Sequence, residues 1–222
     1  MTTLTVVLGA KTRFGRALVE RVSGSEQVLL VARDAADASV LSESFGVGAR
    51  LQVADGSQGD LGAAIKASGA TRVRLVIAAL GPVHPEQPAY DADAPAVSRD
   101  LGLVTQVLDA GLPVQVVLVS TIIALAPGED RRYYGGWKGV VEQQVRQLVD
   151  ERPEATLSVL YPGRLVESGA RGWLRVHASY SRLVAVTLGL PLERGVSRLV
   201  GLDTRIWLLL NSVSFCLRSL RP

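Results

Sequence analysis

The sequence has few of the residues that bind metals or form disulfides. Among 222 residues there are one cysteine, Cys216, and two histidines, His84 and His177. A single cysteine excludes an intrachain disulfide and a cysteine-rich metal site. The two histidines lie far apart in the chain without a ligand-like spacing, so we expect no bound metal. The net charge of +3 is too small to indicate a nucleic-acid-binding protein.

Long apolar runs are also lacking. No stretch approaches the ~18–20 apolar residues that a membrane-spanning helix needs. No basic region precedes the short apolar run near the N-terminus, so no signal peptide is expected and we predict a cytoplasmic protein. The positive charge is concentrated in residues 173–222, where seven arginines outnumber the two acids Glu193 and Asp203.

The segment 203–222 is the most apolar part of this basic tail. Ile206 and Leu209 belong to a set of apolar residues at helical spacing, flanked by Arg205 and Arg218. The pattern is typical of a helix at a subunit interface or over a substrate pocket, and we expect a homo-oligomer, either a dimer or a tetramer. The less favoured alternative is a helix in peripheral contact with a membrane surface.

Short apolar strands alternate with longer helical stretches along the chain. The predicted strands are Leu4–Leu8, Gln27–Ala32, Arg50–Val53, Arg74–Ala79, Val114–Ser120 and Thr156–Tyr161. Uninterrupted apolar runs of this length favour strands that are buried on both faces. We therefore predict an α/β fold, a Rossmann-like doubly wound parallel sheet with helices on both faces. Residues 1–222 form one domain, in which 164–222 is a substrate-side and C-terminal helical region.

Two local patterns indicate functional sites, one for phosphate binding and one for proton transfer. The stretch "GAKTRFG" (9–15) places Gly9 and Gly15 between the first strand and a helix, where a loop can hold a phosphate. Ser120 ends the fifth strand, and Tyr134 and Lys138 follow on one helix face. An ammonium beside a phenol favours the phenolate, so Tyr134 can exchange a proton with an alcohol or carbonyl. Ser120 can hydrogen-bond the same oxygen.

In this order the motifs resemble those of the short-chain dehydrogenase/reductase family, over residues 4 to about 166. "GAKTRFG" resembles the cofactor-binding turn. "VLLVARD" (28–34) resembles the second strand and the residues after it that contact the adenosine ribose. "ADG" (54–56) resembles the acidic residue that contacts adenine. "AALG" (78–81) matches the family's Asn-Asn-Ala-Gly only at its last residue. "YPGRLVE" (161–167) resembles the Pro-Gly segment beside the nicotinamide.

The resemblance implies a role for each matching residue. Tyr134 is the acid/base, Ser120 positions the substrate oxygen, and Lys138 binds the nicotinamide ribose while tuning the tyrosine. Asp100, in "RDLG" (99–102), stands where the family has an asparagine that holds a proton-relay water. The implied cofactor contacts, besides Lys138, are Gly9, Lys11, Thr12, Arg13, Phe14, Gly15, Arg33, Asp55, Ala79, Gly81, Pro162, Gly163 and Leu165.

The chain also departs from the family pattern. Asp100 adds a negative charge near Lys138, and Glu167 replaces a threonine that often touches the cofactor. Ala78 and Ala79 remove two side-chain amides, and Arg13 occupies the place of a third glycine. Together these departures indicate a divergent member of the family.

Basic residues near the cofactor turn favour NADP(H) over NAD(H). Arg33 ends the second strand, and Lys11 and Arg13 lie in the glycine turn. Arginine is suited to a 2′-phosphate, whereas an acidic residue would accept a bond from a ribose hydroxyl. Asp34 is the counter-indication. We predict that Lys11 or Arg13 approaches the 2′-phosphate or the pyrophosphate.

The resemblance predicts an NADPH-dependent carbonyl or ketone reductase that acts on a hydrophobic small molecule. One alternative is an enzyme of the same fold without net redox, such as an epimerase, dehydratase or cyclase, with Asp100 and Glu167 as further acid/base groups. The other is an NADP-binding protein with relaxed catalysis.

Overall fold

The computed structural model describes residues 2–80, 90–126, 132–167 and 176–219. Its strands are β1 (Thr3–Leu8), β2 (Gln27–Ala32), β3 (Leu51–Asp55), β4 (Arg72–Ile77), β5 (Val114–Val119), β6 (Ala155–Pro162), β7 (Leu165–Val166), β8 (Ala178–Ser179) and β9 (Ser197–Val200). Its helices are α1 (Arg13–Val22), α2 (Ala35–Phe45), α3 (Leu61–Ala67), α4 (Tyr90–Leu108), α5 (Ile122–Leu125), α6 (Arg132–Asp150), α7 (Tyr180–Leu188) and α8 (Leu202–Ser219).

Seven strands form one parallel sheet in the order β3-β2-β1-β4-β5-β6-β9. The chain winds outward from β1 to β3, then crosses back and winds the other way from β4. The strand order therefore reverses between β1 and β4, where ligands bind at the carboxyl ends of strands in such sheets. A separate two-stranded sheet pairs β7 with β8. The predicted doubly wound α/β fold is confirmed.

Each face of the sheet has its own apolar core, which explains the uninterrupted apolar strands. On β1, Val6 points into a core shared with α3, α4 and α6, whereas Val7 points into a core shared with α1, α2 and α7. Both valines are completely buried. Since successive side chains alternate between the faces, a strand covered on both sides is apolar at most positions; Thr5, Arg74, Gln115 and Ser158 are buried polar exceptions.

The region after β6 differs from the prediction. Residues 164–222 were predicted to be a substrate-side and C-terminal helical region, yet Ser197–Val200 forms β9 at the edge of the main sheet beside β6. Only Val200 of its four residues is buried, so the sequence lacks the apolar run that identified the inner strands. The four prolines of residues 82–95 predict a loop, yet α4 begins within this stretch, at Tyr90.

Helix α8 leaves large apolar side chains exposed. In its first twelve residues only Thr204 is buried, while Leu209 and Leu210 are 65% and 58% exposed. Trp207 attaches the helix to the end of α5, since its indole nitrogen donates to the carbonyl oxygen of Ala126 at 2.9 Å. No helix within the described ranges is long and apolar enough to cross a membrane.

Candidate active site

The turn after β1 is built around two glycines and a threonine. Gly9 has a φ of +86°, and a Cβ there would lie 2.9 Å from the backbone nitrogen of Ala79, just after β4. A Cβ on Gly15 would lie 2.5 Å from the carbonyl oxygen of Gly9. Both positions therefore need glycine, one for its conformation and contact, the other for close packing.

Thr12 joins this turn to α1. Its hydroxyl donates to the carbonyl of Gly9 at 2.9 Å and accepts from the amide of Gly15 at 3.0 Å, as an N-cap. The helix begins at Arg13, so the amides of its first turn have no acceptor one turn earlier. This helix N-terminus at the point of strand reversal is suited to an anion such as a pyrophosphate. Phe14, one of the predicted cofactor contacts, is buried in the core with α1.

Ser120 follows β5 and carries a buried hydroxyl. Its amide donates to the carbonyl of Leu160 at 2.9 Å, which extends the pairing of β5 with β6. Its Oγ is buried and has no hydrogen-bond partner among the residues the structure describes. An unsatisfied buried hydroxyl is unfavourable in a folded protein. A bound oxygen-bearing ligand would satisfy it, and this fits the implied substrate site.

Lys138 and Tyr134 lie one turn apart on α6. The Nζ atom of Lys138 is 5.5 Å from the centroid of the Tyr134 ring, within the range of a cation–π contact. The same nitrogen donates to the carbonyl oxygen of Leu80, just after β4, at 2.8 Å. Lys138 is only 8% exposed. Burial lowers its pKa to about 8, against the opposing effect of the negative charge on Asp100.

Asp100 lies on α4 and pairs with Arg33 across the carboxyl ends of the strands. The Nε and Nη2 atoms of Arg33 donate to the two carboxylate oxygens, each at 3.1 Å. Asp100 is 1% exposed. Burial raises the pKa of its carboxyl group, and the positive charge of Arg33 opposes that rise. The structure thus brings together a predicted catalytic residue and a predicted 2′-phosphate ligand.

The two basic residues of the glycine turn are also ion-paired. Lys11 contacts Asp37 on α2. Arg13 reaches Glu167, just after β7, at 3.3 Å, and both of these side chains are more than 70% exposed. Asp37 also accepts from the amide of Arg33 at 3.1 Å. Sequence reasoning missed Asp37, because only the proximity of the β1 and β2 ends brings it to the turn.

Asp55 ends β3 and organises the turn that follows. Its carboxylate accepts from the amide and hydroxyl of Ser57 at 2.9 and 2.7 Å. The hydrogen bond from the Ser57 hydroxyl is the main reason that the pKa of Asp55 is lowered. The carboxylate lies at a carboxyl strand end, where the family resemblance puts the adenine contact. Gly81, another predicted contact, lies outside the described residues.

The segment after β6 packs against the start of α8. Pro162 ends β6, and a Cβ on Gly163 would lie 2.2 Å from a carboxylate oxygen of Asp203. The same oxygen accepts from the amide of Arg164 at 2.9 Å and lies 3.0 Å from Nδ1 of His177. Leu165 continues into β7. No spacing in the sequence indicated that Asp203 and His177 would meet at this segment.

Known structures share this fold. A short-chain dehydrogenase from Burkholderia cenocepacia, solved with NADP, has a TM-score of 0.64 at 16% identity over 100% of this chain and 98% of its own. A short-chain dehydrogenase/reductase from Mycobacterium ulcerans has a TM-score of 0.65 at 15% identity, over 91% and 90% of the two chains. A 3-ketoacyl-(acyl-carrier-protein) reductase from Brucella melitensis, complexed with NADH, has a TM-score of 0.60 at 21% identity, over 90% and 98%.

No protein-family model matches the chain, and no curated protein sequence matches it. The similarity is therefore one of fold rather than of close sequence. The chain has the fold of the short-chain dehydrogenase/reductases along almost its whole length.

Proposed function

We propose that this protein is an NADPH-dependent oxidoreductase that reduces a ketone or another carbonyl group. The observation that carries the proposal is the buried amine of Lys138, 5.5 Å from the Tyr134 ring, on the helix after a strand-terminal serine. A cation beside the ring favours the negative charge of a phenolate. Tyr134 is then suited to proton transfer.

Each residue has a separate task in the proposed reaction. The nicotinamide, when bound, supplies a hydride to the carbonyl carbon. Tyr134 gives its proton to the carbonyl oxygen. The substrate becomes an alcohol, and Tyr134 is left as a phenolate that later takes up a proton. The hydroxyl of Ser120, buried without a partner in the described part of the chain, hydrogen-bonds the same oxygen. Lys138 stabilises the phenolate and binds the nicotinamide ribose.

The remaining cofactor contacts are proposed from the turn and the strand ends. Thr12, Arg13 and Gly15 form the N-terminus of α1, which holds the pyrophosphate. Arg33 is 40% exposed at the end of β2 and meets the 2′-phosphate of NADP(H). The other contacts follow the family resemblance at Gly9, Lys11, Phe14, Asp55, Ala79, Gly81, Pro162, Gly163 and Leu165.

Replacing Tyr134 with phenylalanine tests the mechanism. We expect turnover to fall by about 10²–10⁴-fold, because the proton donor is lost, while the dissociation constant of NADPH changes little. The assay is carbonyl-dependent NADPH oxidation with a panel of hydrophobic ketones, and tryptophan fluorescence reports cofactor binding. Tyr133→Phe is the matched control, since the Tyr133 hydroxyl instead accepts from the indole of Trp137 at 2.7 Å. A Tyr134→Phe variant with full activity would refute the mechanism.

The alternative without net redox has less support. It would use Asp100 and Glu167 as acid/base groups, yet these carboxylates contact Arg33 and Arg13. Substrate conversion without NADPH oxidation would favour it nevertheless. Tight NADPH binding without turnover of any substrate would instead favour a cofactor-binding protein with relaxed catalysis. A cytoplasmic location is still the prediction from the sequence.

We also propose that the protein is a homo-oligomer in which α8 packs against a second copy. Leu202, Ile206, Leu209 and Val213 follow one another at intervals of four, three and four residues, and all are at least 43% exposed. This spacing is typical of a seam between paired helices. A contiguous row of exposed apolar side chains marks an interaction surface, and each partner of a stable dimer buries ~800 Å².

Light scattering after gel filtration tests the oligomer. We expect a dimer or tetramer for the unaltered chain and a monomer for Leu209→Asp. Asn211→Asp adds the same charge outside the seam and is the control. A monomeric unaltered chain that sediments with anionic vesicles would contradict the proposal and support the membrane alternative.

A further inference from the structure

The ion pair between Arg33 and Asp100 has a consequence for cofactor choice. One edge of the Arg33 guanidinium, made of Nε and Nη2, is bound by both carboxylate oxygens at 3.1 Å. The Asp100 side chain is 2% exposed, whereas that of Arg33 is 40% exposed. The carboxylate therefore lies beneath the arginine and neutralises its charge from the protein side. The third nitrogen of the Arg33 guanidinium, Nη1, takes part in neither of these two hydrogen bonds.

The surroundings of Arg33 strengthen this effect. Lys11, the neighbouring cation, is ion-paired with Asp37, and Asp37 also accepts from the Arg33 amide. Asp34 follows directly in the sequence and caps α2. Lys11 and Arg33 thus each already have a carboxylate partner, Asp37 and Asp100, which reduces their attraction for a further anion.

A 2′-phosphate can bind Arg33 in two arrangements, and Asp100 makes both of them less favourable. If the ion pair stays closed, the phosphate approaches an arginine whose charge is already balanced. If Arg33 turns to the phosphate, a carboxylate that is 2% exposed loses the cation that is hydrogen-bonded to both its oxygens, which is unfavourable for a buried charge. A ribose 2′-hydroxyl requires neither change, since it is neutral.

We propose that Asp100 is a specificity-determining residue, which competes with the cofactor's 2′-phosphate for Arg33 and so limits the preference for NADP(H) over NAD(H). This inference depends on the proposed function, because it assumes that a dinucleotide binds at this edge of the sheet. It gives Asp100 a role toward the adenosine end of the cofactor, in addition to any role beside Lys138.

Calorimetric binding of two nucleotide fragments tests the inference without turnover. The probes are adenosine 2′,5′-bisphosphate, which carries the 2′-phosphate, and 5′-AMP, which lacks it. Asp100→Asn keeps the size of the side chain and removes its charge. We expect this variant to bind the bisphosphate about tenfold more tightly and 5′-AMP with unchanged affinity. Asp100→Ser should act in the same direction, and circular dichroism verifies that both variants fold.

Two further variants separate the ion pair from a general charge effect. Asp34→Asn makes the same change of charge beside Arg33 but does not alter the ion pair, so it should affect bisphosphate affinity much less. In an Arg33→Ala background, Asp100→Asn should have no effect. Weaker bisphosphate binding by both Asp100 variants, or an equal change for the two probes, would overturn the inference. Failure of the unaltered chain to bind either fragment or NADPH would instead overturn the proposed function on which the inference depends.

Discussion

Replacing Lys138 with methionine should stabilise the folded protein near neutral pH. The amine is only 8% exposed, and burial lowers its pKa from 10.5 to about 8. This lowering of the pKa means that burying the charged lysine reduces the free energy of unfolding by about 3 kcal/mol. Methionine fills a similar volume without a charge, but leaves the carbonyl of Leu80 without its 2.8 Å hydrogen bond, at a cost of about 1 kcal/mol.

The expected net gain is about 2 kcal/mol, or a rise in Tm of roughly 4–8 °C for a chain of this length. The gain should depend on pH. Between pH 8 and 10.5 the unfolded lysine holds a proton that the folded one has lost, so the unaltered protein becomes more stable as the pH rises. The advantage of Lys138→Met is therefore complete below pH 8 and shrinks above it.

Urea unfolding of both proteins at about pH 7 and about pH 9.5 measures this effect. Lys66→Met, at an exposed lysine on α3, is the control and should show no comparable gain. Turnover should be lost in Lys138→Met in either case, since the proposed mechanism needs the ammonium. A variant that is less stable than the unaltered protein near pH 7, or a difference that does not change with pH, would refute the reasoning.

Two further substitutions test the geometry of the site. Ser120→Ala removes a buried hydroxyl that has no partner in the described part of the chain, so unfolding in urea should show a gain of about 1 kcal/mol together with a loss of turnover; a loss of stability would show that the hydroxyl is satisfied. Gly9→Ala should lower stability by about 2–3 kcal/mol, because φ is +86° and the new Cβ would lie 2.9 Å from the Ala79 nitrogen. Gly24→Ala, where a Cβ meets nothing within 4 Å, is the thermal-unfolding control and should be nearly neutral.

The inner sheet was predictable because its signals are local. β2 has the predicted bounds, and the other five predicted strands differ from their predicted bounds by at most two residues at either end. Burial on both faces makes most residues of such a strand apolar, and this pattern is visible without knowledge of the neighbouring strands. β9 was missed, since an edge strand that is mostly exposed carries no such pattern and forms through its pairing with β6.

The candidate catalytic residues could be identified from the sequence for the same reason. Tyr134 and Lys138 are four residues apart on one helix, so their proximity follows from helix geometry alone. Their 5.5 Å contact was therefore expected. The hydrogen bond from Lys138 to the carbonyl of Leu80, which is 58 residues away in the chain, was not.

The sequence by itself determined the doubly wound fold and the candidate residues Ser120, Tyr134 and Lys138, because periodicity and short spacings act within one strand or one helix. Only the tertiary structure decided which charges meet. Arg33 and Asp100 are 67 residues apart in the chain, and Arg13 and Glu167 are 154 apart. Such pairs depend on which strand ends become neighbours after the sheet has formed. The basic residues predicted from the sequence to bind a phosphate are therefore, in the folded protein, arginines and a lysine that already have carboxylate partners.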